Sequence, residues 1–251
     1  MKQLNNRKQY PSISIFFPFL NDWGTVGSLI SISIETVSKL TDDWEVLIID
    51  DGSKSADKEA LEYIVRIINK GYKKEAVRVI THEKNRGYGG ALRSGFENST
   101  KDLVFYTDCD AQYDPRELMN LYKEMKPGIG MVNGYKIKRN DPIIRIIAGR
   151  FYHHLVKLMF SLPIRDTDCD FRLIRRTVFD RVKLFESTGT ICTELVKKVD
   201  HAGYKIMEVP VHHYYRTSGK SQFFNFKRLY KTGTNLLKLW WKLIIKNDYV
   251  H

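Results

Sequence analysis

The residues best placed to do chemistry are Asp108 and Asp110, two carboxylates spaced i, i+2 in the stretch Leu103-Val104-Phe105-Tyr106-Thr107-Asp108-Cys109-Asp110-Ala111-Gln112. The apolar and β-favouring run that precedes them reads as a buried strand. Ligands of an open parallel sheet gather beyond the carboxyl ends of its strands, and the pair falls at such an end. Side chains two apart on an extended segment point the same way, so Asp108, Asp110 and Gln112 can converge on one point. Hard oxygen donors converging there suit Mg²⁺ or Mn²⁺, ions that keep most of their shell for water and substrate phosphates. The competing interpretation is an acidic strand exit that caps the following helix. Asp114-Pro115-Arg116-Glu117 already supplies a helix start, which favours the metal.

The elements that must hold these carboxylates alternate along the chain. A strand over Ile13 to Phe17 ends at Pro18, and Pro18-Phe19-Leu20-Asn21-Asp22 forms a loop before a helix from about Trp23 to Lys39. A second strand, Trp44 to Ile49, empties into Asp50-Asp51-Gly52-Ser53. A helix over Ala60 to Ile68, a strand over Val77 to Thr81 and a glycine loop at 85–90 opening a helix through Phe96 come next. The strand at Leu103, a helix over Glu117 to Met125 and a strand over Met131 to Ile137 complete the series. Such alternation predicts an α/β fold with a mostly parallel sheet covered by helices on both faces.

Three acidic loops then leave one sheet edge, carrying Asp22, then Asp50 and Asp51, then Asp108 and Asp110. Carboxylates in that place accept hydrogen bonds from base imino groups and ribose hydroxyls, and hold a cation that neutralises a diphosphate. The glycine loop does not fit a dinucleotide fingerprint, because Leu92 stands at the third glycine position and the loop follows the third strand. Its glycines serve either close backbone approach to a ligand or a tight turn.

A net charge of +12 on 251 residues implies an anionic partner: a nucleic acid, a phosphorylated substrate or an acidic membrane. A nucleic-acid module is disfavoured, since acids line the strand ends where it would want cations. Three cysteines with no CxxC spacing point to a reducing compartment rather than a disulfide framework. The polar start, Met1 to Gln9, holds no apolar signal core, and no window offers the roughly 18 apolar residues of a membrane span.

These motifs resemble the family 2 glycosyltransferases of the GT-A fold, and among them the dolichyl- or polyprenyl-phosphate sugar transferases. Pro18-Phe19-Leu20-Asn21-Asp22 is similar to the family's Pro-x-x-Asn-Glu, and Asp50-Asp51-Gly52-Ser53 to its Asp-Asp-Gly-Ser. Asn85 to Gly95 is similar to its glycine helix, and Asp108 to Gln112 to its Asp-x-Asp-x-Gln. The likeness runs through Leu162-Pro163-Ile164-Arg165-Asp166, Phe171-Arg172, Val209-Pro210-Val211 and Arg216 to Ser221, covering roughly residues 11 to 222. Asp170 departs from it, standing where many relatives carry Gly.

The resemblance implies an inverting, metal-dependent transfer from a nucleoside diphosphate sugar (GDP- or UDP-linked) to a polyprenyl phosphate. Within it Asp51 binds the base with Asp50 beside it, Asp22 binds the ribose, and Pro18, Phe19, Leu20 and Gly87 line the donor. Asp108, Asp110 and Gln112 hold Mg²⁺ or Mn²⁺, and Arg216 and Lys220 belong to a loop that closes over the diphosphate. Lys136, Arg139 and Arg150 grip the acceptor phosphate, where charge-assisted bonds fix its orientation. Asp166 is the candidate base or positioning group beside the catalytic Asp110 and Arg150. A phosphate acceptor is already anionic near neutral pH, so positioning matters more than proton abstraction. A hydroxyl acceptor on a glycan, glycolipid or protein is the second enzyme reading, and it makes Lys136 and Arg150 unnecessary. His212 and His213 suit a structural role better than metal ligation.

Residues 1–222 thus form a catalytic domain and 223–251 a basic helical tail. At the helical period Lys227, Arg228, Lys231, Lys238, Lys242 and Lys246 share one face, and Leu236, Leu237, Trp240, Leu243 and Ile244 lie elsewhere. A lysine face beside a tryptophan-bearing apolar face predicts a helix lying in a membrane interface. The alternative is a helix packed on its own domain or on a partner subunit. The expectation is a peripheral enzyme on the cytoplasmic face of a membrane, with a separate membrane subunit as a further partner.

Overall fold

β1 (Ile13–Phe19) is the strand around which the sheet is laid, paired in parallel with β2 (Trp44–Asp50) on one side and β4 (Leu103–Thr107) on the other. The computed structural model describes residues 11–72, 75–137, 153–216 and 226–249. β3 (Val77–Thr81) extends the sheet beyond β2, and β5 (Ile129–Lys136), β6 (Phe171–Arg175) and β7 (Lys205–Val211) extend it beyond β4. The strand order is β3-β2-β1-β4-β6-β5-β7. β6 runs antiparallel to both β4 and β5, and every other pairing is parallel. The sheet is therefore mostly parallel, as the alternation predicts, with one reversed strand at Phe171-Arg172 that helix–strand counting does not foresee.

Two apolar cores cover the sheet. Alternation along β1 sends Ile13, Ile15, Phe17 and Phe19 into one core, beneath α1 (Trp23–Val37), α2 (Ser55–Asn69) and α4 (Leu118–Glu124). Phe16 points into the other, with residues from α3 (Tyr88–Asn98), a helix over 153–160 (α5), the short α6 (Val178–Arg181), α7 (Ile191–His201) and α8 (Phe226–Trp240). The Phe16 ring stacks on Tyr106 at 5.3 Å and meets Phe96 edge-on at 5.1 Å. Both faces being covered explains why β1, β2 and β4 read as nearly continuous apolar runs.

Several boundaries move by a few residues from the sequence expectation, and two of the moves have a plain cause. β1 continues through Pro18 and Phe19, which pair with Ile49 and Asp50 of β2. Beyond Phe16 β4 no longer flanks it, and proline is tolerated at such a local edge. α2 starts at Ser55 rather than Ala60, because its first turn is polar and shows no apolar period.

The tail helix α8 and its π-helical continuation, Trp241–Ile245, are fastened to the domain. Leu236, Leu239 and Leu243 are buried in the second core, and the Trp240 indole N–H donates to the Met159 carbonyl at 2.9 Å. A second apolar row, Leu237, Trp241 and Ile245, faces outward and stays about half exposed. The apolar side is thus divided between a row that packs and a row that does not. Among the described residues no helix is long and apolar enough to cross a membrane.

Candidate functional site

The order β3-β2-β1-β4 places a switch point between β1 and β4, the place where open α/β sheets bind ligands. The predicted acidic loops meet there. Asp22 follows β1, Asp50 and Asp51 end β2, and Asp108 and Asp110 follow β4. Two of these loops contain non-glycine residues in the left-handed region, Asn21 (φ 55°) and Ala111 (φ 57°). That conformation costs roughly 1–2 kcal/mol per residue, and the neighbours hold it. Asn21 accepts from Lys54 N at 2.9 Å and donates its own N–H to Ser53 Oγ at 3.0 Å. Gln112 N donates to Asp110 Oδ1 at 3.1 Å across Ala111.

Asp108, half-buried, and Asp110, buried, sit close to further carboxylates. Burial, then the charges of Asp170 and Asp110, push the Asp108 carboxyl well above its usual range. Burial likewise raises Asp110. The Tyr88 hydroxyl, from the glycine helix, donates to Asp108 Oδ1 at 2.7 Å. Arg216 answers part of this charge, with Nη2 3.1 Å from Asp22 Oδ2 and Nη1 3.6 Å from Asp110 Oδ2. Helix capping does not need the pair, since Asp114 Oδ1 accepts from Arg116 N at 3.0 Å.

The donor set fits a divalent cation. Among the described residues no three His, Cys, Asp or Glu side chains form a ready-made metal cage. Two carboxylates with remaining positions left to water and substrate phosphates are what Mg²⁺ or Mn²⁺ takes. Two neighbouring hard anionic groups, each with a raised pKa, are an arrangement that a cation relieves. Gln112 donates from Nε2 to the Tyr214 carbonyl at 3.1 Å, which leaves its Oε1 as the atom to offer a metal.

The other acidic-loop carboxylates, Asp22, Asp50 and Asp51, are held and also left incomplete. Asp51 Oδ1 accepts from His82 Nδ1 and from Arg86 N, both at 2.7 Å. Asp50 Oδ1 accepts from Ser53 N at 3.0 Å. Asp22 Oδ1 and Asp50 Oδ2 are buried with no hydrogen-bond partner among the described residues. Buried orphan oxygens are rare and call for an explanation; a ribose or base donor supplies one. Phe19 is buried, whereas Leu20 and Trp23 present exposed apolar surface at the same loop.

Gly87 packs against the protein's own chain. It has φ +81°, and a Cβ there would lie 2.4 Å from the Ser187 carbonyl oxygen, with Gly89 as close to Glu186 O. The glycines admit the backbone of 186–187 against the start of α3, where Gly89 N donates to Ser187 O at 3.0 Å. The close approach seen here is to the protein's own chain, which neither a ligand contact nor a tight turn anticipates.

Lys136 and Asp166, the residues expected on an acceptor side, are paired with each other. Lys136 Nζ lies 3.5 Å from Asp166 Oδ2 and donates to Asp168 O at 2.7 Å, both side chains being largely buried. Lys136 N also donates to Asp166 Oδ2 at 3.2 Å. Arg139, Arg150 and Lys220 lie outside the described residues. His212 pairs with Glu117, and the His213 ring meets Tyr113 edge-on at 5.2 Å.

Sequence reasoning missed a buried network beside the metal loop. Arg172, fully buried on the reversed strand, donates to Asn133 Oδ1, to the Tyr106 hydroxyl and to Thr167 O at 2.6–2.7 Å. Asp170 Oδ1 accepts from Cys192 Sγ at 3.0 Å and from Tyr106 at 3.3 Å. His82, Ser94 and Tyr88 were missed as well; a lone histidine after a strand gives no pattern to find.

Comparison with known proteins agrees with this geometry. The model of Glycosyl transferase family 2 matches residues 14–183, and the chain belongs to that family. An undecaprenyl-phosphate 4-deoxy-4-formamido-L-arabinose transferase of Pseudomonas fluorescens (strain Pf0-1) is 26% identical over 218 residues, covering 86% of this chain and 62% of that protein. Glycosyltransferase AglD of Haloferax volcanii is 24% identical over 243 residues, covering 93% of this chain and 38% of the relative. The chain therefore spans less than two thirds of either. Glucosyl-3-phosphoglycerate synthase of Mycobacterium tuberculosis, solved with Mn²⁺, UDP and glucosyl-3-phosphoglycerate, shares the GT-A fold. Its TM-score is 0.68 at 17% identity, over 92% of this chain and 79% of that one.

Proposed function

We propose that this chain transfers a sugar from a nucleoside diphosphate sugar to a polyprenyl phosphate at the cytoplasmic surface of a membrane. The observation that carries the reading is the convergence of Asp22, Asp50, Asp51, Asp108 and Asp110 at one switch point, with orphan oxygens on Asp22 and Asp50. The names of the relatives point the same way, toward a lipid-phosphate acceptor.

In this reading Asp51 takes the base and Asp22 the ribose. Asp108, Asp110 and Gln112 Oε1 would hold Mg²⁺ or Mn²⁺, which would supply the charge that stabilises a departing diphosphate. Arg216 exchanges its carboxylate partners for the diphosphate, together with Lys220. The acceptor's phosphate oxygen attacks the anomeric carbon from the opposite face, and the nucleoside diphosphate departs. Arg139 and Arg150 orient that phosphate. Asp166 and Lys136, locked together at the end of β5, shape the acceptor side. The exposed row Leu237, Trp241 and Ile245, bordered by Lys238, Lys242 and Lys246, rests on anionic lipid.

The test is incorporation of label from nucleotide sugars into vesicles containing a polyprenyl phosphate, with Mn²⁺ present. Label extracting with lipid is expected. Transfer to a water-soluble hydroxyl acceptor alone would replace this reading with the hydroxyl-acceptor one.

A further inference from the structure

His82 is buried, 4% exposed, between Asp51 and Ser94. Its Nδ1 lies 2.7 Å from Asp51 Oδ1 and its Nε2 2.9 Å from Ser94 Oγ. A carboxylate only accepts, so Nδ1 carries a proton toward Asp51, and Nε2 is held by the Ser94 hydroxyl. Ser94 belongs to α3, whose Tyr88 donates to Asp108. One helix therefore braces both the base-side and the metal-side carboxylates.

The two donors to Asp51 fall on the same oxygen. His82 Nδ1 and Arg86 N both address Oδ1, which fills that oxygen's two lone pairs. Gly52 closes the turn beneath them, where a Cβ would lie 2.8 Å from Asn85 N. Oδ2 is the oxygen left for a ligand. Uracil offers one imino N–H on its pairing edge, which one oxygen satisfies. Guanine offers N1–H beside its amino group and asks for both oxygens of a carboxylate at once. Adenine has no imino N–H there.

We infer that His82 is a positioning residue that holds Asp51 Oδ1 and presents Oδ2 alone to the base, so that the donor is a uridine rather than a guanosine diphosphate sugar. The inference rests on the reading of Asp51 as the base-binding carboxylate.

Calorimetric titration of the full chain with UDP and with GDP, in Mn²⁺ buffer, tests both steps. The wild type binds UDP at least about tenfold more tightly than GDP, since one unmet buried hydrogen-bonding group costs about 1–3 kcal/mol. His82→Leu lowers UDP affinity about tenfold and narrows the UDP-to-GDP ratio, as expected for loss of a hydrogen bond to a charged group. His82→Asn, whose amide nitrogen reaches the place of Nδ1, restores most of the affinity and of the ratio. A residue with a merely structural role would lower the thermal midpoint and leave the ratio alone. If His82→Leu does not fold, Ser94→Ala frees the ring's far nitrogen instead, and UDP affinity falls about threefold, within the range of one neutral hydrogen bond. Unchanged affinity and ratio in the folded variant, or GDP binding at least as tight as UDP in the wild type, overturns the inference. Asp51→Ala separates the two layers: unchanged UDP affinity there refutes the base-binding role itself, whatever His82 does.

Discussion

Two groups of carboxylates sit at opposite ends of the same sheet, and the protein treats them in opposite ways. At the amino end Glu45 accepts from Ser14 Oγ, from Thr100 N and Oγ1, and from Arg78 Nη2, all within 2.9 Å. Burial alone would raise its carboxyl, and these donors outweigh it to leave the group below its usual value. Asp102 beside it is lowered by the backbone N–H and hydroxyl of Ser12. At the carboxyl end Asp108 and Asp110 are raised, and Asp22 and Asp50 keep unmet oxygens. One end satisfies its charge internally. The other leaves charge and acceptor oxygens unanswered among the described residues, which is the electrostatic contrast between a scaffold and a candidate binding site.

Mutation at each end should separate these roles. The largest effect belongs to Asp108→Ala with Asp110→Ala, which should lower turnover by about 10³ or more while leaving a folded protein, since the diphosphate's charge loses its stabilising partner. Full turnover of that variant in chelator, measured as lipid-extractable label, would erase the contrast. Glu45→Ala should do the reverse. Urea unfolding should show a loss of about 1 kcal/mol, because the donors that meet on a half-buried carboxylate lose their partner, with UDP affinity unaltered.

The smallest effect sharpens the comparison through its sign. A carboxyl whose folded pKa is raised stabilises fully below its ordinary pKa, and that contribution is lost as pH rises through the raised value. At pH 7 in chelator Asp108 therefore costs stability, and Asp108→Asn should raise the thermal midpoint by about 2–4 °C, the shift expected for roughly 1 kcal/mol in a chain of this size. Mn²⁺ should raise the wild-type midpoint and leave the variant's almost unmoved. A lower midpoint for Asp108→Asn would show that the carboxylate is a structural member after all.

The acidic loops were legible because each follows an apolar run that must be a strand, and strand ends of a parallel sheet are where ligands go. The GT-A fold and family membership followed from the same loops. The reversed strand β6 was hidden, since Phe171-Leu173-Ile174 is too short to declare a direction, and what orients it is the fit of buried Arg172 among Tyr106, Asn133 and Thr167. The start of α2 was lost in a polar turn. The division of the tail into packed and exposed apolar rows depends on where the domain offers a surface, and no periodicity in α8 itself records that. The Gly87 and Gly89 pair was read for its freedom of approach, and only the fold shows that Ser187 and Glu186 are what approach.

The fastening of α8 has a mechanical meaning. Leu236, Leu239 and Leu243 share a core with the sheet, and Trp240 is bonded to α5, so the outward row of Leu237, Trp241 and Ile245 has no hinge of its own. The angle between that row and the acidic loops is consequently set by the core, and a substitution that loosened the leucines would free it to vary.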